Sequence, residues 1–163
     1  MMKSRLAILA ATVAASSLST MAQAADWTEV LVTTGDTQAV AMAEGRQVMT
    51  YFATGGIALI AGEKMVSGGP YECAGMIDAG TDGMALVLSC ATTDSDGDQV
   101  YSEVARGKDS DMPSGQGVYA YTGGTGKWEG FTANCTYEVN YTPGGQVVEF
   151  GHCTGDALPP PLN

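Results

Sequence analysis

The sequence predicts an all-β protein, an antiparallel up-and-down β-barrel of about eight strands with two cross-strand disulfides. Thr and Val recur in short β-type runs that are broken about every 8 to 12 residues, as in barrels and sandwiches. The chain also contains 22 glycines and seven tyrosines, and no apolar repeat of helical period is sustained. Because most connections are short, strands that are neighbours in sequence are expected to pair in space.

Residues 1–24 have the three-part layout of a secretory signal peptide. Lys3 and Arg5 precede an apolar run over residues 6–15, and the segment ends in Ala-Gln-Ala at residues 22–24. The apolar run is shorter than the roughly 20 residues of a membrane span. We therefore expect cleavage after Ala24 and an exported protein, periplasmic or secreted, without a membrane span.

Cleavage at that point makes the chain strongly acidic. Removing Lys3 and Arg5 leaves five basic residues against eighteen acidic ones, a formal charge of −13. Such a field repels phosphate backbones and anionic lipid surfaces, which argues against nucleic-acid and peripheral-membrane partners. The simplest interpretation is a solvated surface that keeps an exported protein soluble.

The barrel domain is predicted over residues 25–157. Strands are predicted over residues 27–33, 46–53, 56–61, 72–77, 84–91, 100–106, 117–121, 132–141 and 147–153. Residues 36–45 are predicted to form a short helix or an excursion. Residues 158–163 contain three consecutive prolines, which cannot donate to a sheet, so this tail is predicted to be an extended strap or a frayed end.

Two disulfides are predicted from the cysteine spacing. The four cysteines are Cys73, Cys90, Cys135 and Cys153, and an even number in an oxidising compartment indicates disulfides. The turn signal at residues 80–83 lies midway between the first two cysteines, and that at residues 143–145 lies midway between the last two. Each pair then faces itself across a hairpin, which predicts Cys73–Cys90 and Cys135–Cys153. Each bond is expected to stabilise the fold by roughly 2 to 4 kcal/mol.

An acidic turn follows the first of these hairpins, with Asp94, Asp96 and Asp98 at alternate positions. The alternation is similar to the start of an EF-hand loop. Gln99 occupies the position where such a loop needs glycine, and Ala105 the position where it needs a bidentate glutamate. We therefore predict no metal site here. The preferred interpretation is a hairpin turn in which aspartates accept backbone N–H bonds and Gly97 has a positive φ.

A glycine-rich segment, Gly-Gly-Thr-Gly-Lys-Trp-Glu-Gly, follows at residues 123–130. A phosphate-binding loop needs Ser or Thr after the lysine, and Trp128 stands there instead. The segment is therefore predicted to be a tight turn or bulge, with Lys127 projecting to solvent and Trp128 packing inside. No cofactor is predicted.

The acidic turn paired with this glycine-rich segment resembles the allene oxide cyclase barrel-like family. Its closer members are small exported bacterial proteins, and its relatives include the dirigent proteins. The resemblance covers about 40 residues and implies a barrel with a cavity. The plant cyclases of this family hold a fatty-acid epoxide in the cavity of their own barrel. The matching residues all lie in turns, and this chain lacks the plant enzymes' pocket motif. The resemblance therefore implies a fold more than a function.

Candidate catalytic residues are few. His152 is the single histidine, and both disulfides would consume every cysteine, so neither Cys-His chemistry nor a two-histidine metal site is predicted. In the last hairpin, the Cys135–Cys153 register places Tyr137, Tyr141 and Glu149 on one face. If that face is the barrel interior, Glu149 lies opposite Val139 among tyrosines, where burial would raise its pKa.

Three roles stay open at this level. The first is binding of a small apolar or aromatic molecule in the barrel, with Tyr137, Tyr141 and Glu149 as binding residues. The second is a structural or interaction scaffold whose interior its own side chains fill. The alternative is a cyclase-like or isomerase-like enzyme that uses Glu149 as the catalytic group. The oligomeric state is also open, a homo-oligomer included.

Overall fold

The computed structural model describes residues 24–109 and 115–161, which form a closed antiparallel barrel. Each strand pairs with the next in sequence, and the last pairs with the first. The eight strands are β1 Ala25–Ala41, β2 Gln47–Ala61, β3 Lys64–Gly80, β4 Gly83–Thr93, β5 Gln99–Arg106, β6 Gln116–Gly124, β7 Ala133–Tyr141 and β8 Gln146–Gly155. The up-and-down barrel prediction is confirmed. Residues 1–23 of the predicted signal peptide lie outside the described residues.

Period-2 alternation decides which side chains enter the barrel. In β1, Trp27, Glu29, Leu31 and Thr33 are all buried, whereas Val32 between the last two is 40% exposed. The same alternation holds in the last hairpin, where the inward face is the one that carries the cysteines. The barrel interior is therefore the core of the molecule.

Two of the strand predictions were wrong. Residues 46–53 and 56–61 belong to one strand, β2, and β3 begins at Lys64 rather than near residue 72. The glycines that indicated strand ends lie inside the strands. A Cβ on Gly55 would lie 2.0 Å from the Val32 carbonyl oxygen, and one on Gly69 2.1 Å from that of Thr93. Glycine here allows neighbouring backbones to approach closely within a continuous sheet.

The segment at residues 36–45, predicted as a helix or an excursion, is mostly strand. β1 continues to Ala41, and only Ala43–Gly45 forms a single 3-10 turn. The first hairpin is thus long, with Ala41 paired to Gln47 beside its turn. The proline-rich tail is a docked strap rather than a frayed end up to residue 161, because Pro159 is buried.

Both disulfides form as predicted. Cys73 bonds to Cys90 and Cys135 to Cys153, each between directly opposed residues of one hairpin. All four cysteines are buried inside the barrel. Each bond therefore links two neighbouring strands on their interior face.

The acidic turn is a scaffold feature, as predicted. The Asp94 carboxylate accepts hydrogen bonds from the backbone N–H groups of Asp96 at 2.8 Å and Asp98 at 3.1 Å. Gly97 has a φ of 87°, in the region that favours glycine. The Asp94 oxygen is therefore bound by backbone donors of its own turn.

The acidic turn and the glycine-rich segment bind each other. The backbone N–H of Thr125 donates to the Gln99 carbonyl at 2.7 Å, and its hydroxyl accepts from the Gln99 N–H at 2.8 Å. The indole N–H of Trp128 donates to the Asp94 carboxylate at 2.9 Å. The two segments that carry the family resemblance therefore form one contact that covers one end of the barrel.

Lys127 does not project freely to solvent, contrary to the prediction. Its ammonium lies 2.8 Å from an oxygen of Asp96 and 3.2 Å from one of Asp94. Although burial works against ionisation, hydrogen bonds from Trp128, the Asp96 backbone and Lys127 lower the pKa of Asp94. A buried carboxylate needs such a counter-charge, which sequence spacing alone did not reveal.

The covered end is filled by side chains, and we call it the closed half. Its packed residues are Trp27, Leu59, Val100, Trp128, Phe131 and Ala133. Phe131 lies against Trp128 with ring centroids 5.2 Å apart and against Trp27 at 5.9 Å. Within the described residues, no helix is both long enough and apolar enough to cross a membrane.

Candidate functional site

The other half of the barrel, the open half, is hollow. It contains a cavity of about 190 Å³. Tyrosines, aliphatic side chains and two charged groups line it, principally Leu31, Tyr51, Tyr71, Ile77, Leu86, Arg106, Tyr137, Val139, Tyr141 and Glu149. Every strand except β6 contributes to this lining.

The cavity reaches the surface beside Tyr141. This side chain lines the cavity and is also 76% exposed, so it lies at the mouth. Tyr137, four residues earlier on the same strand, is deeper, and its ring packs over Gly117 of β6. The two tyrosines predicted as binding residues therefore mark the depth and the mouth of one cavity.

Glu149 lies inside this cavity. It pairs with Val139 across the last hairpin, as the disulfide register predicted, and with Leu31 on β1. Burial, with a contribution from the nearby Glu29 carboxylate, raises the pKa of Glu149 to about 7. Within the described residues, no hydrogen bond to its carboxylate forms. Glu149 is thus a partly buried acid whose side chain lines the cavity.

A second interior carboxylate, Glu29, is fully buried just below the cavity and was not predicted. It accepts hydrogen bonds from the indole N–H of Trp27 at 2.8 Å and from the hydroxyl of Tyr121 at 2.8 Å. The hydroxyl of Tyr119 donates to its other oxygen. Burial raises the pKa of Glu29, and these three hydrogen bonds work in the opposite direction.

The register of β1 and β8 brings the two carboxylates close together. Glu29 lies opposite Gly151, and Glu149 lies two residues before Gly151. The Cα atoms of such diagonal neighbours on one face of a sheet are about 7 to 8 Å apart. A Cβ on Gly151 would lie 2.7 Å from the Tyr119 hydroxyl oxygen. Glycine at that position therefore leaves room for the Tyr119–Glu29 hydrogen bond.

The sequence indicated the interior position of Glu29 but not its hydrogen-bond partners. Alternation from Trp27 through Leu31 places Glu29 on the apolar face of β1. Its tyrosine donors lie 90 and 92 residues away, on a strand that β1 does not pair with. Only closure of the barrel brings these groups together.

Three of the cavity tyrosines are neutral at physiological pH. Burial raises the pKa of Tyr51, Tyr71 and Tyr137. Tyr71 also lies with its hydroxyl 2.8 Å from the sulfur of Cys73. These three residues therefore offer aromatic faces and hydroxyl groups to the cavity.

Within residues 24–109 and 115–161, no free thiolate or imidazole lies at this site. Glu29 is close to Cys135 and Cys153, but those sulfurs are joined to each other. His152 is exposed on the outer face of β8, where a wider surface depression of about 1100 Å³ lies. The ionisable groups in that depression, such as Asp26 and Glu103, are exposed to solvent. Glu29 and Glu149 both belong to the barrel interior.

The chain matches no protein-family model, and comparisons with curated proteins and with solved structures found no significant match. The likeness to the allene oxide cyclase barrel-like family therefore depends on the turn residues alone. Any function must be argued from the cavity itself.

Proposed function

We propose that this protein is an exported β-barrel that binds a small apolar or aromatic molecule in its open half. The tyrosine-lined cavity that reaches the surface at Tyr141 carries this proposal. Ligand sites are typically concave and mainly apolar, with a few polar groups that fix orientation, and Glu149 is such a group. The two disulfides are compatible with the oxidising compartment that export requires.

The cavity volume limits the size of the ligand. At about 190 Å³, it is close to the engineered apolar cavity of about 150 Å³ that binds benzene. It is smaller than the roughly 300 to 1,000 Å³ of sites for drug-sized molecules. The proposed ligand is therefore a compact molecule with one ring or a short chain, not a long fatty acid held inside the barrel.

Native mass spectrometry of the protein purified gently from the exported fraction tests this proposal. We expect a discrete additional mass that is lost on mild activation. Val139→Phe fills the cavity opposite Glu149 and should remove this mass. Val87→Phe makes the same change at an outward position that is 60% exposed and should keep it.

The scaffold role predicts a different result. A filled or purely structural barrel gives the same clean mass for the wild type and both variants. In that case no small single-ring compound added at millimolar concentration would protect the wild type against thermal unfolding. Those two results together would overturn the binding proposal.

A second candidate function is an isomerase-like or cyclase-like reaction in the same cavity, as the family resemblance implies. Glu149 favours it, because an acid in the cavity lining with a pKa of about 7 can both accept and donate a proton near neutral pH. Incubation of a ligand identified by mass spectrometry should then give a product of equal mass and different retention time. Glu149→Gln should bind the same ligand and leave it unconverted.

A further inference from the structure

We propose that the molecule held in the cavity is a small aromatic amine in its protonated form, with its ammonium group on the Glu149 carboxylate. This inference builds on the binding function proposed above and specifies the ligand class. It stands on three features of the open half, namely a carboxylate that receives no hydrogen bond, a lining of tyrosine rings and a second carboxylate nearby.

The first feature is the difference in hydrogen bonding between the two interior acids. Glu29 receives three donors, from Trp27, Tyr119 and Tyr121. Within the described residues, Glu149 receives none, and its partly buried side chain lines the cavity, where a bound molecule can reach it. A carboxylate with reduced access to water and no protein donor gains from an N–H donor on a ligand, because hydrogen bonds to charged groups are stronger in such surroundings.

The second feature is the aromatic lining. Tyr51, Tyr71, Tyr137 and Tyr141 all line the cavity that contains Glu149. The face of an aromatic ring attracts a cation within about 6 Å, and cages of aromatic rings recognise ammonium groups in proteins. The same rings also pack against an aromatic ligand. A lining of this kind therefore fits both parts of an arylalkylammonium ion.

The third feature is the sign of the field at Glu149. Glu29 is the charged group that acts on Glu149, and it adds negative potential. Arg106, the cation in the lining, acts on Tyr137 and donates to the Gln116 carbonyl oxygen at 2.7 Å. The strongly acidic chain further attracts cations and repels anions. A cationic ligand is therefore favoured over a neutral or anionic one.

Calorimetric titration of the full-length exported protein with three matched compounds tests the inference. Benzylamine, benzyl alcohol and benzoate share one ring and differ in charge. Near pH 8, where Glu149 is mostly ionised and an alkylamine of pKa about 10 is protonated, benzylamine should bind at least about tenfold more tightly than benzyl alcohol. Benzoate should show no binding.

Glu149→Gln should abolish the preference for benzylamine and leave the affinity for benzyl alcohol within about twofold. This variant should fold, since it removes a partly buried charge that receives no hydrogen bond from the described residues. Glu138→Gln changes an exposed glutamate on the outer face of the same hairpin and should bind as the wild type does.

The pH dependence gives an independent readout. Benzylamine affinity should rise as pH increases from about 5 to about 8, by up to roughly 100-fold, because the ligand binds the ionised form of Glu149. The titratable and charged groups that face Glu149 are Glu29, Arg106 and the four tyrosines. Glu29 also loses its proton as pH rises, so it changes the benzylamine affinity in the same direction as Glu149. Benzyl alcohol affinity should stay flat over that range. Binding of benzylamine near pH 7 should release protons to the buffer.

The outcomes separate the two proposals. If benzyl alcohol binds as tightly as benzylamine, or if Glu149→Gln keeps the preference, the amine inference is wrong and the binding function stands. If none of the three compounds binds and no mass is retained from the exported fraction, both are wrong.

Discussion

The two halves of this barrel are built from the same eight strands and treat their interior carboxylates in opposite ways. In the closed half and at its border, the buried carboxylates are paired. Asp94 is bound by Trp128 and Lys127, and Glu29 by three side chains. In the open half, Glu149 is partly buried and receives no hydrogen bond from the described residues. One half is a packed core, and the other contains a cavity with a carboxylate in its lining.

The two interior glutamates express this difference most directly. They lie on adjacent strands, two residues apart in register, and burial raises the pKa of both. Their partners differ, since Glu29 accepts three hydrogen bonds and Glu149 accepts none from the described residues. A raised pKa alone therefore does not mark a functional acid, and a carboxylate that lines a cavity without a protein donor is the more informative observation.

The largest loss of stability, and the largest difference between the two halves, is expected when one aromatic ring is removed from each half. Trp128→Ala should destabilise the protein by about 3 to 5 kcal/mol, because it leaves a large void and takes a donor from Asp94. Tyr141→Ala should cost less than about 1 kcal/mol, since Tyr141 lies exposed at the mouth. Urea unfolding measures both. Equal losses would show that the open half is as tightly packed as the closed half.

Replacing each of the two glutamates with leucine should change the free energy of unfolding in opposite directions. Glu29→Leu should destabilise by about 3 kcal/mol, because Trp27, Tyr119 and Tyr121 lose their acceptor inside the barrel. Glu149→Leu should stabilise the protein near pH 8, because it replaces a desolvated charge with an apolar group among apolar neighbours. Unfolding free energies at one pH decide this. A loss of stability in both variants would mean that Glu149 has a partner after all.

The pH dependence of stability should identify Glu149 on its own. A carboxyl with a folded pKa of about 7 and an unfolded value of 4.5 binds more protons in the folded state between those values. Its contribution to stability is therefore full below about pH 4.5 and is lost as pH rises through 7.

The wild type should thus lose on the order of 2 kcal/mol between about pH 5 and pH 8 relative to Glu149→Gln. Glu138→Gln, on the outer face, should keep the wild-type profile. The lowered pKa values of Asp78 and Asp94 act at lower pH, where stability falls on acidification. Glu29, whose pKa is raised like that of Glu149, is present in both proteins, so the difference between the two profiles reports Glu149. Parallel profiles for the wild type and Glu149→Gln would contradict the assignment.

The local parts of this fold could be predicted from sequence. Each disulfide spans one hairpin, so cysteine spacing and a turn signal fixed two registers and placed Glu149 on the interior face. The continuity of the strands through Gly55 and Gly69 could not be predicted. A glycine that allows a neighbouring backbone to approach closely looks the same in the sequence as a glycine that ends a strand.

The Glu29 cluster and the closed end depended on longer-range geometry. The pairing of β1 with β8 closes the barrel across more than one hundred residues, and no local signal encodes its register. The contact of Lys127 with Asp94 and Asp96 likewise joins two turns that separate strands bring together. The interior position of Glu149 was therefore predictable from the sequence, whereas the hydrogen-bonded Glu29 cluster was not.

The smallest expected effect concerns the glycine between the two acids. Gly151→Ala places a methyl group 2.7 Å from the Tyr119 hydroxyl oxygen and 3.4 Å from the Glu29 Cβ. Tyr119 must then shift from Glu29, which should cost about 1 to 2 kcal/mol. Gly56→Ala is the matched control, since the nearest atom to its Cβ is 3.8 Å away.

Unfolding measurements near pH 8 on the two alanine variants test this, and nuclear magnetic resonance titration of Glu149 gives a second readout. If Tyr119 loses its hold on Glu29, the Glu29 carboxylate loses a hydrogen bond that lowers its pKa, and Glu29 becomes more protonated. The pKa of Glu149 should then fall, because less negative charge acts on it. An unchanged Glu149 pKa in a destabilised Gly151→Ala protein would show that the two acids titrate independently, and that the two halves are coupled only through packing.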